Sequence, residues 1–278
     1  MESAVLEKLN REVDKHSGLR LGPWIDIHAH LNMLEGTPEE SVLAAQKLGV
    51  HRIVTIGTKP NDLPLVLELS RKFYPVVSCT LGIHPHEAQL YSPEIEKLIL
   101  TESPSREVVA VGEIGLDYYY NNAPHEVQRE AFAQQLALAE KLNLPVEIHT
   151  RDAEQDTIDI LENFRGRVRG VIHCFTGTQW LAEKALDLGY NISMSGIVTF
   201  KNAQALKDVA QYVPLNRMHI ETDAPFLTPS PFRGVKNSPH FVVFTAQFIS
   251  ELKKVPLPDL SQQLLVNAYQ MFPKLAPL

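Results

Sequence analysis

Along this chain, short runs of aliphatic and β-branched residues alternate with longer stretches whose apolar positions recur at three- and four-residue steps. The runs are 24–30 (WIDIHAH), 52–57 (RIVTIG), 76–83 (VVSCTLGI), 107–114 (EVVAVGEI), 145–150 (PVEIHT), 169–175 (RGVIHCF), 190–195 (YNISMS) and 218–223 (MHIETD). Bounded runs of this kind predict strands. Helices are predicted over 37–48, 61–73, 124–142, 152–164, 178–188 and 203–211, with two more near 239–252 and 258–272. The first of them has Thr37 as N-cap, Pro38 at its first position, Glu39 and Glu40 in its first turn and Gly49 past its end. Eight strands alternating with helices imply a parallel sheet with right-handed crossovers, and eight is the number that closes. The fold class expected is therefore α/β, a single (β/α)8 TIM barrel over residues 23–278. Residues 1–22 read as a helical, solvated leader, with apolar Val5, Leu6, Leu9 and Val13 at roughly helical spacing, that packs on the body and carries no chemistry.

Barrels of this kind keep their active sites at the C-terminal ends of the strands. His28 and His30 stand at the end of the first strand, and positions i and i+2 share a face, so two imidazoles project together. His84 follows the third strand, Glu113 ends the fourth, His149 the fifth, His173 lies late in the sixth and Asp223 ends the eighth. His28, His30, His149 and His173 with two carboxylates are more ligands than a single open metal site uses. They suit two divalent cations about 3.5–4 Å apart, bridged by a carboxylate and a solvent molecule. The division expected is His28, His30 and Asp223 on one cation, His149 and His173 on the other, and Glu113 between them. Imidazole-rich ligation allows zinc, and bridging carboxylates allow magnesium or manganese.

Composition narrows the substrate. The hydrophobic (44%) and charged (21%) fractions are those of an ordinary globular protein with a large core. Cys79 and Cys174 sit in apolar runs and read as buried thiols of a reducing compartment, and no apolar run has the length of a membrane span, so a cytoplasmic enzyme is expected. A net charge of −7 argues against adhesion to nucleic acid through a basic surface. A polyanion would be held locally, by the cations and by Arg151 after the fifth strand, Arg233 in the loop after the eighth, and His84; Lys201 is a weaker candidate.

Eight blocks carry a further inference: IDIHAHL at 25–31, LGIHPHE at 81–87, VGEIGLDYY at 111–119, LPVEIHTRDA at 144–153, HCFTG at 173–177, SGIVTFKNA at 195–203, ETDAPFL at 221–227 and PFRGVKNSP at 231–239. In these blocks, and in their order, the chain resembles the TatD family of metal-dependent deoxyribonucleases, whose fold is similar to the amidohydrolase barrels. The resemblance implies metal ligands at His28, His30, Glu113, His149, His173 and Asp223, the set reached from the strand ends. It implies a hydrolase cleaving DNA phosphodiester bonds, from ends or on single strands, through a metal-activated bridging hydroxide. In that scheme Glu113 bridges and Asp223 takes the proton from the water. The chain departs from the family in its leader and in Asn32, where an aspartate often follows the HxHL motif; a hydrogen-bonding role is expected for Asn32.

A second function stays open, a two-metal barrel hydrolase of a small amide, lactone or phosphoester, because the same centre serves both chemistries. A binding protein without catalysis is disfavoured, since every expected ligand is present. Among the other histidines, His51 faces the opposite end of the barrel, His16, His125 and His240 are expected at the surface, and His219 is expected in the core. His86 is left open. Glu221 points inward one layer below Asp223, either supporting the site or satisfied in the core. Tyr118, Tyr119 and Tyr120 either stack on bases or pack within their loop.

Overall fold

The computed structural model describes residues 3–15 and 22–275. Eight parallel strands run in sequence order: β1 (Trp24–Ala29), β2 (Val50–Ile56), β3 (Val77–Leu81), β4 (Val108–Asp117), β5 (Val146–Arg151), β6 (Gly170–Ile172), β7 (Asn191–Met194) and β8 (Met218–Ile220). A parallel bridge between Ala29 and Ala224 brings the last strand back to the first. The fold is the (β/α)8 barrel expected. Its ring is dry: every residue of β1, β3 and β4 is buried.

The helices lie outside this ring among the described residues. They are α1 (Ser3–Lys15), α2 (Pro38–Lys47), α3 (Leu63–Phe73), α4 (Pro93–Glu102), α5 (His125–Leu142), α6 (Glu154–Glu162), α7 (Gln179–Asp187), α8 (Gln204–Tyr212), α9 (Val242–Lys253) and α10 (Leu257–Met271). Thr37 and Glu40 form a full capping box at the start of α2. Helix α4 is absent from the sequence reading, which passes from the third strand to the fourth. Its signals are Ser92, whose hydroxyl accepts from the Ile95 N–H at 3.5 Å, and Pro93 at the first position. Its apolar stripe is weak, with Ile99 alone fully buried.

Strand lengths differ from expectation where they bear on the site. β6 and β8 stop early, at Ile172 and Ile220, but His173 and Asp223 still donate backbone N–H bonds to the Ile148 and His28 carbonyls at 3.0 and 2.9 Å. Cys174 and Asp223 then turn the backbone into the left-handed region at φ +40° and +57°. For residues other than glycine this costs roughly 1–3 kcal/mol, and such strain collects at functional sites. β4 instead runs on past Ile114 to Asp117. Gly115 permits this at φ +136°, where a Cβ would lie 2.0 Å from the His149 carbonyl oxygen.

Three expectations about single residues are corrected. His240 is buried, not exposed, in the turn Pro239–Phe241, with Nδ1 3.1 Å from Ser238 Oγ. His125 is half-buried, stacked on Tyr118 at 3.6 Å between centroids. Cys174 is only partly buried, while Cys79 lies in the core; both are free. His16 falls outside the described residues. His219 is in the core as expected, accepting from the Asn191 amide at 2.9 Å. Helix α1 packs on the barrel through buried Leu9 and Val13, and its Lys8 ammonium donates to the Pro231 carbonyl and lies 5.0 Å from the Phe232 ring centroid. No helix among the described residues is long and apolar enough to cross a membrane.

Candidate metal centre

At the C-terminal ends of the strands a cavity of about 710 Å³ opens over a floor of imidazoles and carboxylates. Glu113 stands in its middle. Its Oε1 lies 2.7 Å from His173 Nε2, 3.2 Å from His149 Nδ1 and 3.4 Å from His84 Nε2. Its Oε2 lies 3.6 Å from His28 Nε2 and 4.0 Å from His30 Nε2. Asp223 Oδ1 completes the latter group, 3.3 Å from His30 Nε2 and 3.8 Å from His28 Nε2. One carboxylate thus turns a separate oxygen toward each of two clusters.

Which ring nitrogen faces inward is set from behind. His28 Nδ1 is 2.8 Å from Glu147 Oε2, His149 Nε2 is 3.0 Å from Asp117 Oδ2, and His173 Nδ1 is 3.3 Å from Glu221 Oε1. A carboxylate accepts, so each ring carries its N–H on the outer side and turns a lone pair toward Glu113. His84 is the reverse. Its Nδ1 accepts the His86 backbone N–H at 3.1 Å, which puts its proton on Nε2 and makes it a donor into the cavity.

Lone pairs of His28, His149 and His173 therefore meet carboxylate oxygens, acceptor against acceptor, which only positive charge between them resolves. His28 Nε2 is buried and has no hydrogen-bond partner among the described residues. Protonation behaviour carries the same signature. Burial opposes charge on His28, yet Glu113 and Glu147 hold its pKa well above the usual imidazole value. Burial and then His28 oppose charge on His173, but Glu113 and Glu221 raise it to about 10. Burial favours protonated Glu113, but the His173 and His84 imidazoles hold it well below the usual carboxylate range. Nitrogen and oxygen donors closing on a buried demand for positive charge fit divalent cations. Ligand atoms of His28, His30 and Asp223, and likewise of His84, Glu113 and His149, lie within 4.8 Å of one another.

All six residues expected as ligands are gathered here, and His84 is gathered with them. Arg151 lines the rim, its guanidinium carbon 3.9 Å from the Tyr119 ring centroid and 4.9 Å from that of Tyr120; among the described residues its N–H groups meet no acceptor. Arg233 is not brought to the cavity. It is exposed, stacks over Phe200 at 3.8 Å and donates to the Thr228 carbonyl at 3.4 Å, a loop contact. Lys201 is exposed in a turn outside the lining. Glu221 supports the site, accepting the Cys174 N–H at 2.6 Å while it holds His173. Tyr118 packs, donating to Asp156 Oδ2 at 2.5 Å, whereas Tyr119 and Tyr120 are exposed.

Three acidic residues were missed by the sequence reading. Glu147 lies two residues before His149 and shares its inward parity, the argument applied to Glu221 and Asp223 but not to this strand. Asp117 was lost because the fourth strand was ended at Ile114. It also holds His86 Nε2 at 3.0 Å and accepts the Tyr119 and Tyr120 N–H groups, both at 3.0 Å. Asp26 shares parity with His28 and ties β1 to the end of β8, accepting from the Thr222 N–H at 2.9 Å and hydroxyl at 2.5 Å.

An eight-stranded barrel with this donor set at its C-terminal mouth is the architecture of the metal-dependent barrel hydrolases. The chain belongs to the family described as TatD related DNase, whose model matches residues 25–273. It is 38% identical over 250 residues to the uncharacterized metal-dependent hydrolase YabD of Bacillus subtilis (strain 168), covering 89% of this chain and 98% of that protein. It is 43% identical over 256 residues to the uncharacterized metal-dependent hydrolase YcfH of Escherichia coli (strain K12), covering 89% of this chain and 95% of that protein. The crystal structure of YJJV, a TatD homolog from Escherichia coli k12, superposes with a TM-score of 0.85 at 31% identity, covering 92% of this chain and 99% of that one. The protein is a metal-dependent hydrolase of the TatD family, and helix α1 lies outside the family match.

Proposed function

We propose that the protein hydrolyses phosphodiester bonds of DNA, acting at ends or on single strands, with two divalent cations (zinc, magnesium or manganese) at the mouth of the barrel. The observation that carries this reading is Glu113, whose two oxygens face two separate clusters on the floor of an open cavity rimmed by Arg151. His28, His30 and Asp223 would hold one cation, His149 and His173 the other, and Glu113 both. When bound, the cations supply Lewis-acid charge and lower the pKa of a shared water. Asp223 would be placed to accept a proton from an attacking water: burial favours its neutral form, but the hydrogen bond to His30 and the charges of nearby histidines keep it ionised at neutral pH. His84 donates its Nε2–H to a non-bridging phosphate oxygen, a role its low pKa of about 4, set by burial, leaves intact because the neutral ring already carries that proton. Arg151 binds a neighbouring phosphate through its unengaged fork.

The test is a labelled single-stranded oligonucleotide incubated with the metal-loaded protein, beside a small chromogenic phosphodiester. Fragmentation that stops on chelation and returns with added cation is the expected result. Hydrolysis of the small ester, or of a lactone or amide, with the oligonucleotide left intact would overturn the nuclease reading in favour of a small-substrate hydrolase.

A further inference from the structure

Large aromatic rings are usually covered by protein, and an exposed one at the rim of a cavity calls for a ligand with an apolar face. Phe226 is 51% exposed and Tyr120 54% exposed, and both line the cavity above Glu113. They rise from opposite walls. Phe226 follows β8 and Tyr120 follows β4, and in an eight-membered ring of strands in sequence order these two lie four places apart in either direction. Each keeps company with a different cluster. The Phe226 ring meets that of His30 edge-on at 6.0 Å, beside Asp223, and the Tyr120 ring meets that of His86 edge-on at 5.3 Å, beside His149.

Both rings are braced. Tyr120 is held by its backbone N–H on Asp117 Oδ1 and packs at 4.8 Å against Tyr119, with the Arg151 guanidinium over the pair. The Phe226 N–H donates to the Asp223 carbonyl at 2.9 Å, which ties the ring to a residue of the centre itself. These bonds fix the backbone beneath each ring, and both rings stay exposed above the cavity. A guanidinium beside an aromatic face is suited to a base with its phosphate attached.

We propose that Tyr120 and Phe226 are two base-stacking platforms, one on each side of the scissile phosphate, so that the enzyme reads unpaired nucleotides. The proposal rests on the nuclease reading given above. Base faces inside a duplex are covered by their neighbours, and a cavity of about 710 Å³ has room for a few groups of a flexible strand but not for a paired helix. Stacking accepts any base, so the platforms confer preference for single strands and frayed ends without sequence preference. The two bases are held by different walls, so they contribute independently.

The test uses metal-loaded protein and four single-stranded substrates of one length with a single defined cleavage position: unmodified, abasic on the 5′ side of the scissile bond, abasic on the 3′ side, and abasic on both. Each abasic position is expected to lower kcat/KM roughly ten- to a hundredfold, the range for loss of one stacked base. Tyr120→Leu and Phe226→Leu are each expected to lower kcat/KM on the unmodified strand by a like factor. One variant's deficit relative to the parent should disappear on the 5′-abasic strand and persist on the 3′-abasic one, the other's the reverse, and both deficits should disappear on the doubly abasic strand. Tyr120→Phe and Phe226→Tyr, which keep a ring, should restore activity. If abasic strands are cut as fast as unmodified DNA, or if both variants keep their full deficits on every abasic strand, the platforms are wrong while the nuclease reading stands. If the parent cuts no strand but hydrolyses a small phosphodiester, the nuclease reading fails and the platforms fall with it.

Discussion

His28 and His173 at the mouth of the barrel and His219 and His240 in its body are all buried, yet the two pairs behave as opposite residues. His28 is wholly buried and His219 almost so. Burial alone disfavours an imidazolium in both places, and in the body it wins: His219 falls to about 3, with Arg217 adding to the effect, and His240 falls to about 4. At the mouth, carboxylates on both edges of the ring reverse the sign, raising His28, His149 and His173. The difference lies in the neighbours, not in the depth. His219 has the Asn191 amide as its partner and His240 has Ser238. A buried imidazole edged by carboxylates is a candidate cation ligand, and one edged by an amide or a hydroxyl serves packing.

The contrast breaks most completely at Glu113. Glu113→Ala removes the carboxylate shared by both clusters, and turnover is expected to fall by on the order of a thousandfold or more. Metal analysis should show fewer than two cations per chain, and full loading with normal turnover would end the bridging role. Asp117→Asn is subtler. An amide has a single accepting oxygen, which the Tyr119 and Tyr120 N–H groups hold, so its NH2 would face His149 Nε2 and the ring loses the acceptor that fixes its tautomer. Affinity for the cation on that side should drop roughly ten- to a hundredfold with the His28 side kept, as such outer partners usually cost. A chelator titration that follows metal content would reveal one weakened ion of two.

Arg151→Ala comes next, with both cations expected to stay bound. Losing charge-assisted contacts costs about 1.5–3 kcal/mol, so activity on DNA should fall roughly ten- to a hundredfold. Activity on a small diester lacking a second phosphate should fall much less, with both losses measured at one salt concentration. Equal losses would move Arg151 from the DNA backbone to the reaction or the fold.

The smallest effect concerns the body. A histidine whose folded pKa lies below its unfolded value binds its proton more readily when unfolded. Stability contributed by the neutral His219 is therefore full above about pH 6.5 and declines as pH falls toward 3. Between pH 7 and 5.5 this residue accounts for roughly 1 kcal/mol. In denaturant melts of metal-loaded protein, His219→Gln should flatten the acid-side decline by about that amount. An unchanged decline would mean that the ring takes up its proton while still folded.

Much of the site was legible because barrel strands obey simple parity and end on one face. His28 with His30 and Glu221 with Asp223 are pairs that a period of two puts together, and Glu113 and His149 end strands that the pattern delimits well. Glu147 was legible by the same rule and was passed over. Asp117 was not, because the continuation of β4 through Gly115 depends on a close approach to β5 that no local pattern reports. Helix α4 escaped because its caps are strong and its apolar stripe weak. Arg233 misled for the opposite reason: a loop after a barrel strand predicts proximity to the mouth, but stacking on Phe200 decides where the guanidinium goes. Burial of His240 likewise depends on how that loop folds back.

The passage of β4 beneath His149 has a mechanical meaning. With a cation between Glu113 and Nδ1 of that ring and Asp117 on Nε2, two residues of one strand, four apart, would grip the imidazole across its width like the jaws of a vice. With both edges clamped, the ring has no freedom to flip or swing outward, whatever the loops above it do. Those loops are then free to vary in length and composition, exchanging one clientele of substrates for another, while the anvil on which the bond is broken stays where it is.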